Sequence, residues 1–206
     1  MRTLPLVLLL VLGSGACRGS CGESASSDAS APRGMPAPVS SLAAPRITGS
    51  ARPAPIDLAD LRLSRGKKGG EYTEFQVARA GDTPARAAFE RWQAGSDYLG
   101  IAATAFFHPA FARAHPGFDL VLPRLLGPEQ LRVLSRALGE LSPEILAVSD
   151  LATARARWKH AQLLEELGRD DEWPAVRSAL AGTAKELAAL AEAHAARGES
   201  LWVLGL

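Results

Sequence analysis

Hydrophobic and polar positions fall into three regimes along the chain. An apolar run, Leu4 to Leu12, comes first and is broken only by Pro5. A long stretch almost without large apolar side chains follows, down to about Pro55. Beyond it, apolar residues recur at the spacings of packed secondary structure. Leu61 and Leu63 alternate with polar neighbours, and so do Phe75 and Val77, with Tyr72 further back. A period of two marks a strand that buries one face. Between the two runs lies Ser64-Arg65-Gly66-Lys67-Lys68-Gly69-Gly70, rich in glycine and charge. The pattern predicts strands over 58–65 and 71–78 joined as a β-hairpin.

From Asp82 the period becomes helical. Asp82-Thr83-Pro84 offers a capping side chain and then a proline where a missing N–H costs nothing. Phe89, Trp92, Leu99, Ala103 and Phe106 recur at intervals of three, four or seven. Tyr98, Ile101, Ala105 and Phe107 widen this stripe, Gly95-Ser96-Asp97 is expected to kink or split it, and Pro109 to close it. Residues 109–126 contain Pro109, Pro116, Gly117 and Pro123 and predict short helical turns packed by Phe111, Phe118, Leu120, Leu122 and Leu125. Gly127-Pro128 opens a second helix with Leu131, Leu134, Leu138 and Leu141 on one face, ended by Ser142-Pro143-Glu144. The same triplet caps a third helix running to about Leu167, lined by Val148, Leu151, Ala154, Trp158, Ala161 and Leu164. Pro174 starts a fourth, lined by Val176, Leu180, Ala184, Leu187 and Leu190, and Gly198 ends it. The tail LWVLGL is expected to dock on the domain or to add a strand to the hairpin, because an exposed apolar end invites aggregation. The sum is a mainly α domain over 56–206: an irregular helical bundle of about four to five helices with a small N-terminal β-hairpin. No fixed period or tetratricopeptide consensus supports a repeat array.

Residues 1–16 read as a signal peptide. Arg2 supplies the positive start, and the apolar run is about nine residues, roughly half the length of a bilayer span. Ser14 and Ala16 satisfy the small-x-small rule for cleavage after Ala16, immediately before Cys17. This arrangement resembles the lipobox of bacterial lipoproteins. The resemblance covers Leu4 to Cys17 and implies lipidation at Cys17, which becomes the mature N-terminus, and attachment to a membrane through that lipid anchor. Ser14 departs from the aliphatic residue such a box prefers three positions before the cysteine, which leaves ordinary cleavage and secretion, or an uncleaved anchor, as alternatives. Cys21 is a second candidate, with Arg18 in the corresponding position. Arg18 rather than Asp after Cys17 favours the outer membrane by the enterobacterial sorting rule. Residues 17–55, dominated by Ser, Ala, Pro and Gly, are expected to form a disordered tether.

Composition narrows the function classes. Lys and Arg total 23 against 22 Asp and Glu, a formal net charge of +1. No nucleic-acid partner is expected, since that needs a concentrated basic face. Cys17 and Cys21 are the only cysteines, so 56–206 holds no thiol, disulfide, cysteine metal site or cysteine nucleophile. Gly66-Lys67-Lys68-Gly69-Gly70 lacks Walker A spacing, and Ser96-Asp97 lacks the Gly-x-Ser-x-Gly of a nucleophile elbow. His108, His115, His160 and His194 do not share one helical face. Glu165-Glu166 with Asp170-Asp171-Glu172 reads as solvated surface, and Arg155, Arg157 and Lys159 as an ion-paired helix face. Trp92, Trp158, Trp173 and Trp202 read as core anchors. No catalytic, cofactor or metal residue is assigned.

The functional expectation is an exported, lipid-anchored envelope protein with an interaction or scaffolding domain that binds another envelope protein. A carrier or sensor of a small hydrophobic ligand, using Phe106 to Phe118, is the alternative, marked by a dry internal cavity. An enzyme of unrecognised class would show titratable groups converging in one pocket.

Overall fold

Residues 56–66 and 69–205 are described by the structure, a computed structural model. Strand-forming residues give β1 (Ser64–Arg65), β2 (Tyr72–Val77), β3 (Asp97–Gly100), β4 (Arg124–Leu126) and β5 (Leu201–Leu204). All pair antiparallel in one sheet of order β1-β3-β2-β5-β4. This overturns the expected mainly α bundle with a small N-terminal hairpin: the fold is mixed α and β, built on a five-stranded sheet. The two alternating runs do not pair with each other. β1 lies against β3, with Ser64 opposite Tyr98, and β2 lies between β3 and β5. Residues 97–100, expected within a helix, form the strand that separates them, and the C-terminal tail forms β5.

Gly100 shows why the chain turns where it does. Its N–H donates to Asp60 O at 3.1 Å, and a Cβ on it would sit 2.3 Å from that oxygen. The bare backbone is what lets the segment before β1 close on the end of β3. Hydrogen-bond parity also decides the far edge. Ala78 N–H donates to Ser200 O at 2.9 Å, so alternate residues of β5, namely Trp202 and Leu204, bond toward β2, while Leu201 and Val203 bond toward β4. Arg124 and Leu126 spend their backbone groups on β5, which leaves Leu125 to face outward next to Pro123. A three-residue edge flanked by a proline is a poor template for another strand.

One sheet face carries Phe75, Leu99, Leu126, Leu201 and Val203 into the main core. The helices α2 (Ile101–Phe106), α3 (His108–Ala114), α4 (Pro128–Ala147), α5 (Leu151–Arg157), α6 (Gln162–Glu166) and α7 (Trp173–Ala196) cover it. Phe111 stacks between Phe75 and Phe118, with centroids at 6.1 and 4.7 Å. α4 and α7 run antiparallel: Arg132 reaches Ala195 O, and Ser142 Oγ donates to Ala181 O at 2.9 Å. Opposite the core lies α1 (Pro84–Phe89), whose Ala87 packs on Trp202 and Leu204.

Pro143 does not end α4 as expected; the helix continues to Ala147. An interior proline costs about 3 kcal/mol. Burial of Ile145 and the Ser142 bond to α7 offset that cost. Beyond α4, Trp173 Nε1 and Arg177 both donate to Val148 O at 3.0 Å, satisfying an orphan carbonyl at the helix end. The expected third helix is broken because Asp150 turns its carboxylate onto Thr153 N–H at 2.8 Å and starts α5 afresh. Trp158 then ends α5.

Two substitutions separate close approach from mere glycine content. Gly100→Ala is expected to cost about 3 kcal/mol or more in urea unfolding, because the new methyl meets backbone. Gly139→Ala on the exposed side of α4, where a Cβ meets nothing, is expected to stabilise by up to ~1 kcal/mol in the same assay.

Candidate functional site

The sheet face turned away from the long helices gathers the polar groups. Alternation along β2 puts Tyr72, Glu74 and Gln76 on this side, where a half-covered strand would meet water. Here it does not. Glu74 is 0% and Gln76 3% exposed, because the chain from α1 to β3 folds back across them. Cross-strand pairing sets Glu74 between Tyr98 and Leu204, and Gln76 opposite Trp202.

A buried carboxylate must be hydrogen-bonded, and this one is. Glu74 Oε2 accepts Trp92 N–H at 2.8 Å, and Oε1 accepts Gln93 N–H at 3.1 Å. The Tyr98 hydroxyl has one proton and two acceptors: Gln93 O at 2.7 Å and Glu74 Oε1 at 3.2 Å. Burial, with the Glu74 charge second, pushes the Tyr98 phenol up to about 12. Gln76 Nε2 donates to Glu90 O at 3.2 Å. Arg91 lies 4.9 Å from the Trp92 ring centre and donates to Tyr72 O at 3.0 Å, with Leu204 O at 3.5 Å. Trp92 stacks on Tyr98, ring centres 5.6 Å apart and planes 9° apart.

Two successive backbone N–H groups can address one carboxylate only if the chain turns sharply. Trp92 supplies the turn with φ 68°, the one positive φ at a non-glycine among the described residues. Such a conformation costs on the order of 1–3 kcal/mol and persists only where the surroundings over-determine it. The constellation is a clamp. Both Glu74 oxygens are occupied by main-chain donors, and Tyr98 holds its proton through the physiological range, so neither is poised for proton transfer.

The other candidates are dispersed. Cys17 and Ala16 lie outside the described residues. His108 meets Phe118 O at 3.3 Å, His115 meets Pro116 O at 3.0 Å and His160 meets Phe106 O at 3.1 Å, while His194 sits in the last turn of α7 against Glu199 at 2.7 Å. Among the described residues no group of three or more His, Cys, Asp or Glu could hold a metal. Trp158, Trp173 and Trp202 are buried, as expected of anchors, whereas Trp92 belongs to the clamp. Arg157 pairs with Glu144 at 2.6 Å, and Arg155 closes α6 through Leu164 O and Leu167 O. Glu165, Glu166, Asp170 and Asp171 are exposed. Phe106, Phe107 and Phe111, proposed ligand contacts, fill the core, with Phe106 at 5.3 Å from both Phe107 and Trp158. Among the grooves lined by described residues, one beside Ile56 and Val176 holds about 130 Å³ and one beside Ile101 and Leu163 about 300 Å³.

Sequence reasoning missed Glu74 and Tyr98. The one local signal was Glu74 on a strand whose other face is apolar, and that ordinarily means solvent.

No family model, no curated protein and no solved structure matches this chain.

The phenol yields a direct test. Tyr72 and Tyr98 are the two tyrosines of the chain, and absorbance titration at 295 nm should show one of them ionising near 12. The folded state keeps a proton that an unfolded tyrosine loses near 10, so stability should fall between about pH 10 and about pH 12. Tyr98→Phe should remove the late ionisation.

Proposed function

We propose that this protein is an exported, lipid-anchored envelope protein whose domain is a non-catalytic interaction module for another envelope protein. The address rests on the apolar run Leu4 to Leu12, the small residues Ser14 and Ala16, and Cys17 as the acylated residue. Residues 17–55 are the spacer in this reading.

The observation that carries the interaction role is an apolar corner at the end of β5. Phe89 is 91% exposed, Val121 60%, Leu122 50% and Leu125 41%. Gly205 abuts the backbone of Leu120 and Val121, and Leu125 pairs with Trp202, so Val121, Leu122 and Leu125 lie along the β4 edge; Phe89 ends α1, whose Ala87 packs on Trp202 and Leu204. Full burial of a side chain of this kind is worth roughly 1.5–3 kcal/mol, part of which each of these forgoes. Scattered single apolar residues need no explanation, but several carried by adjoining segments mark a contact surface. The fully buried Glu74 carboxylate, by contrast, is consumed by main-chain donors of the fold itself, which favours an interaction module over an enzyme. Among the described residues no helix is long and apolar enough to cross a membrane.

Mass spectrometry of the mature N-terminus should find Cys17 as the first residue, carrying acyl chains, and Cys17→Ser should move the protein out of the membrane fraction. A photo-crosslinker at position 89 should give a discrete adduct with an envelope protein that is lost when Val121 and Leu122 are changed to Ser. An unprocessed Met1 in the cytosol would overturn the address, and the absence of any adduct would overturn the interaction role.

A further inference from the structure

We propose that residues 90–96 form a strap latched over the polar face of the sheet by the Glu74 carboxylate, and that this strap opens as a unit while the rest of the domain stays folded. The proposal does not depend on the interaction role or on the lipid anchor.

The strap is bound differently from everything around it. The strands and long helices are held by contiguous apolar burial. Between Glu90 and Ser96 the one large apolar side chain is Trp92, whose ring is half-buried and rests on Tyr98. Ala94 and Gly95 are exposed. What remains is a set of polar attachments: two N–H bonds to Glu74, the Tyr98 hydroxyl on Gln93 O, Gln76 on Glu90 O, Arg91 on Tyr72 O and Leu204 O, and, at the exposed rim, Arg79 on Gln93 Oε1 and Glu90. Regions with few apolar contacts and with anchors of this kind sit at the low end of local stability.

Three terms favour release. Trp92 leaves its left-handed conformation when the strap lifts. Glu74 regains water, so the desolvation of a fully buried charge is relieved. Arg91 Nε, a buried donor on the strap without an acceptor, gains solvent partners. Closure therefore depends on the carboxylate reaching both N–H groups at once. The hinges are in place: Glu90 N–H still bonds to Arg86 O at the end of α1, and β3 begins at Asp97. Opening consequently leaves both flanking elements intact and uncovers Glu74, Gln76 and Tyr98 together.

Native-state hydrogen exchange on the intact protein tests this. The amides of Trp92 and Gln93 should exchange together, about 100-fold faster than those of Thr73 and Phe75 in the same sheet, with little dependence on denaturant. Glu74→Gln keeps the side-chain size and one acceptor oxygen, and should speed exchange at Trp92 and Gln93 at least about tenfold while leaving Phe75 and Leu99 unchanged. Trypsin cleavage after Arg91 should rise in parallel. Exchange of Trp92 and Gln93 at the sheet's own rate in the unsubstituted protein would overturn the proposal, whatever the variant does. A uniform acceleration of all amides in Glu74→Gln would overturn the latch role of the carboxylate.

Discussion

The pairing of β5 with β2 is the constraint on which the rest of this structure depends. It joins Val77 to Leu201 across most of the domain's length, and it places the last strand inside the sheet. Without it β4 has no neighbour, because β4 bonds only to β5. The strand also divides the surroundings in two. Leu201 and Val203 face the long helices, while Trp202 and Leu204 face α1. Closing so long a loop is entropically costly before any contact rewards it, so the antiparallel seam of α4 and α7, which brings the start of β5 back to the sheet, is a precondition of the pairing.

The two sheet faces solve the burial problem by different means. Toward the helices, apolar side chains interlock and a few hydroxyls bond to main-chain carbonyls, Thr104 Oγ1 to Gly100 O at 3.2 Å and Thr183 Oγ1 to Leu61 O at 2.6 Å. On the far face a carboxylate, an amide and a phenol are covered by seven residues of irregular chain. A charge can stay there because main-chain N–H groups replace its water. The glutamate serves as a fastener, with Oε2 taken by Trp92 N–H and Oε1 by Gln93 N–H. On the outer surface, by contrast, Phe89, Val121, Leu122 and Leu125 stand against solvent.

How much of this was legible in the sequence follows from how local each signal is. The start of α7 beside Pro174, the start of α4 at Pro128 and the strand character of Tyr72–Val77 were read from caps and periodicity within a few residues. Asp97–Gly100 was lost to the helix because Leu99 falls at helical spacing from Trp92, Ala103 and Phe106, and four residues cannot display a period of two against that background. Pro143 misled for another reason: its cost inside a helix is real, but a buried isoleucine two residues on and a serine bonded to α7 repay it, and neither is visible locally. The clamp was illegible altogether. Glu74 looks like any solvent-facing strand residue until residues 90–96 are known to lie over it.

By itself, the sequence determined the absence of thiols from 56–206, the apolar faces of the two long helices and the caps that begin them, because those depend on neighbours three or four positions away. Tertiary structure alone decided which strands pair, that the C-terminal tail is a strand near the middle of the sheet, and that a glutamate is buried. Each of those outcomes is set by residues tens of positions distant, and hydrogen-bond partners and water exclusion leave no imprint on the spacing of the residues that receive them.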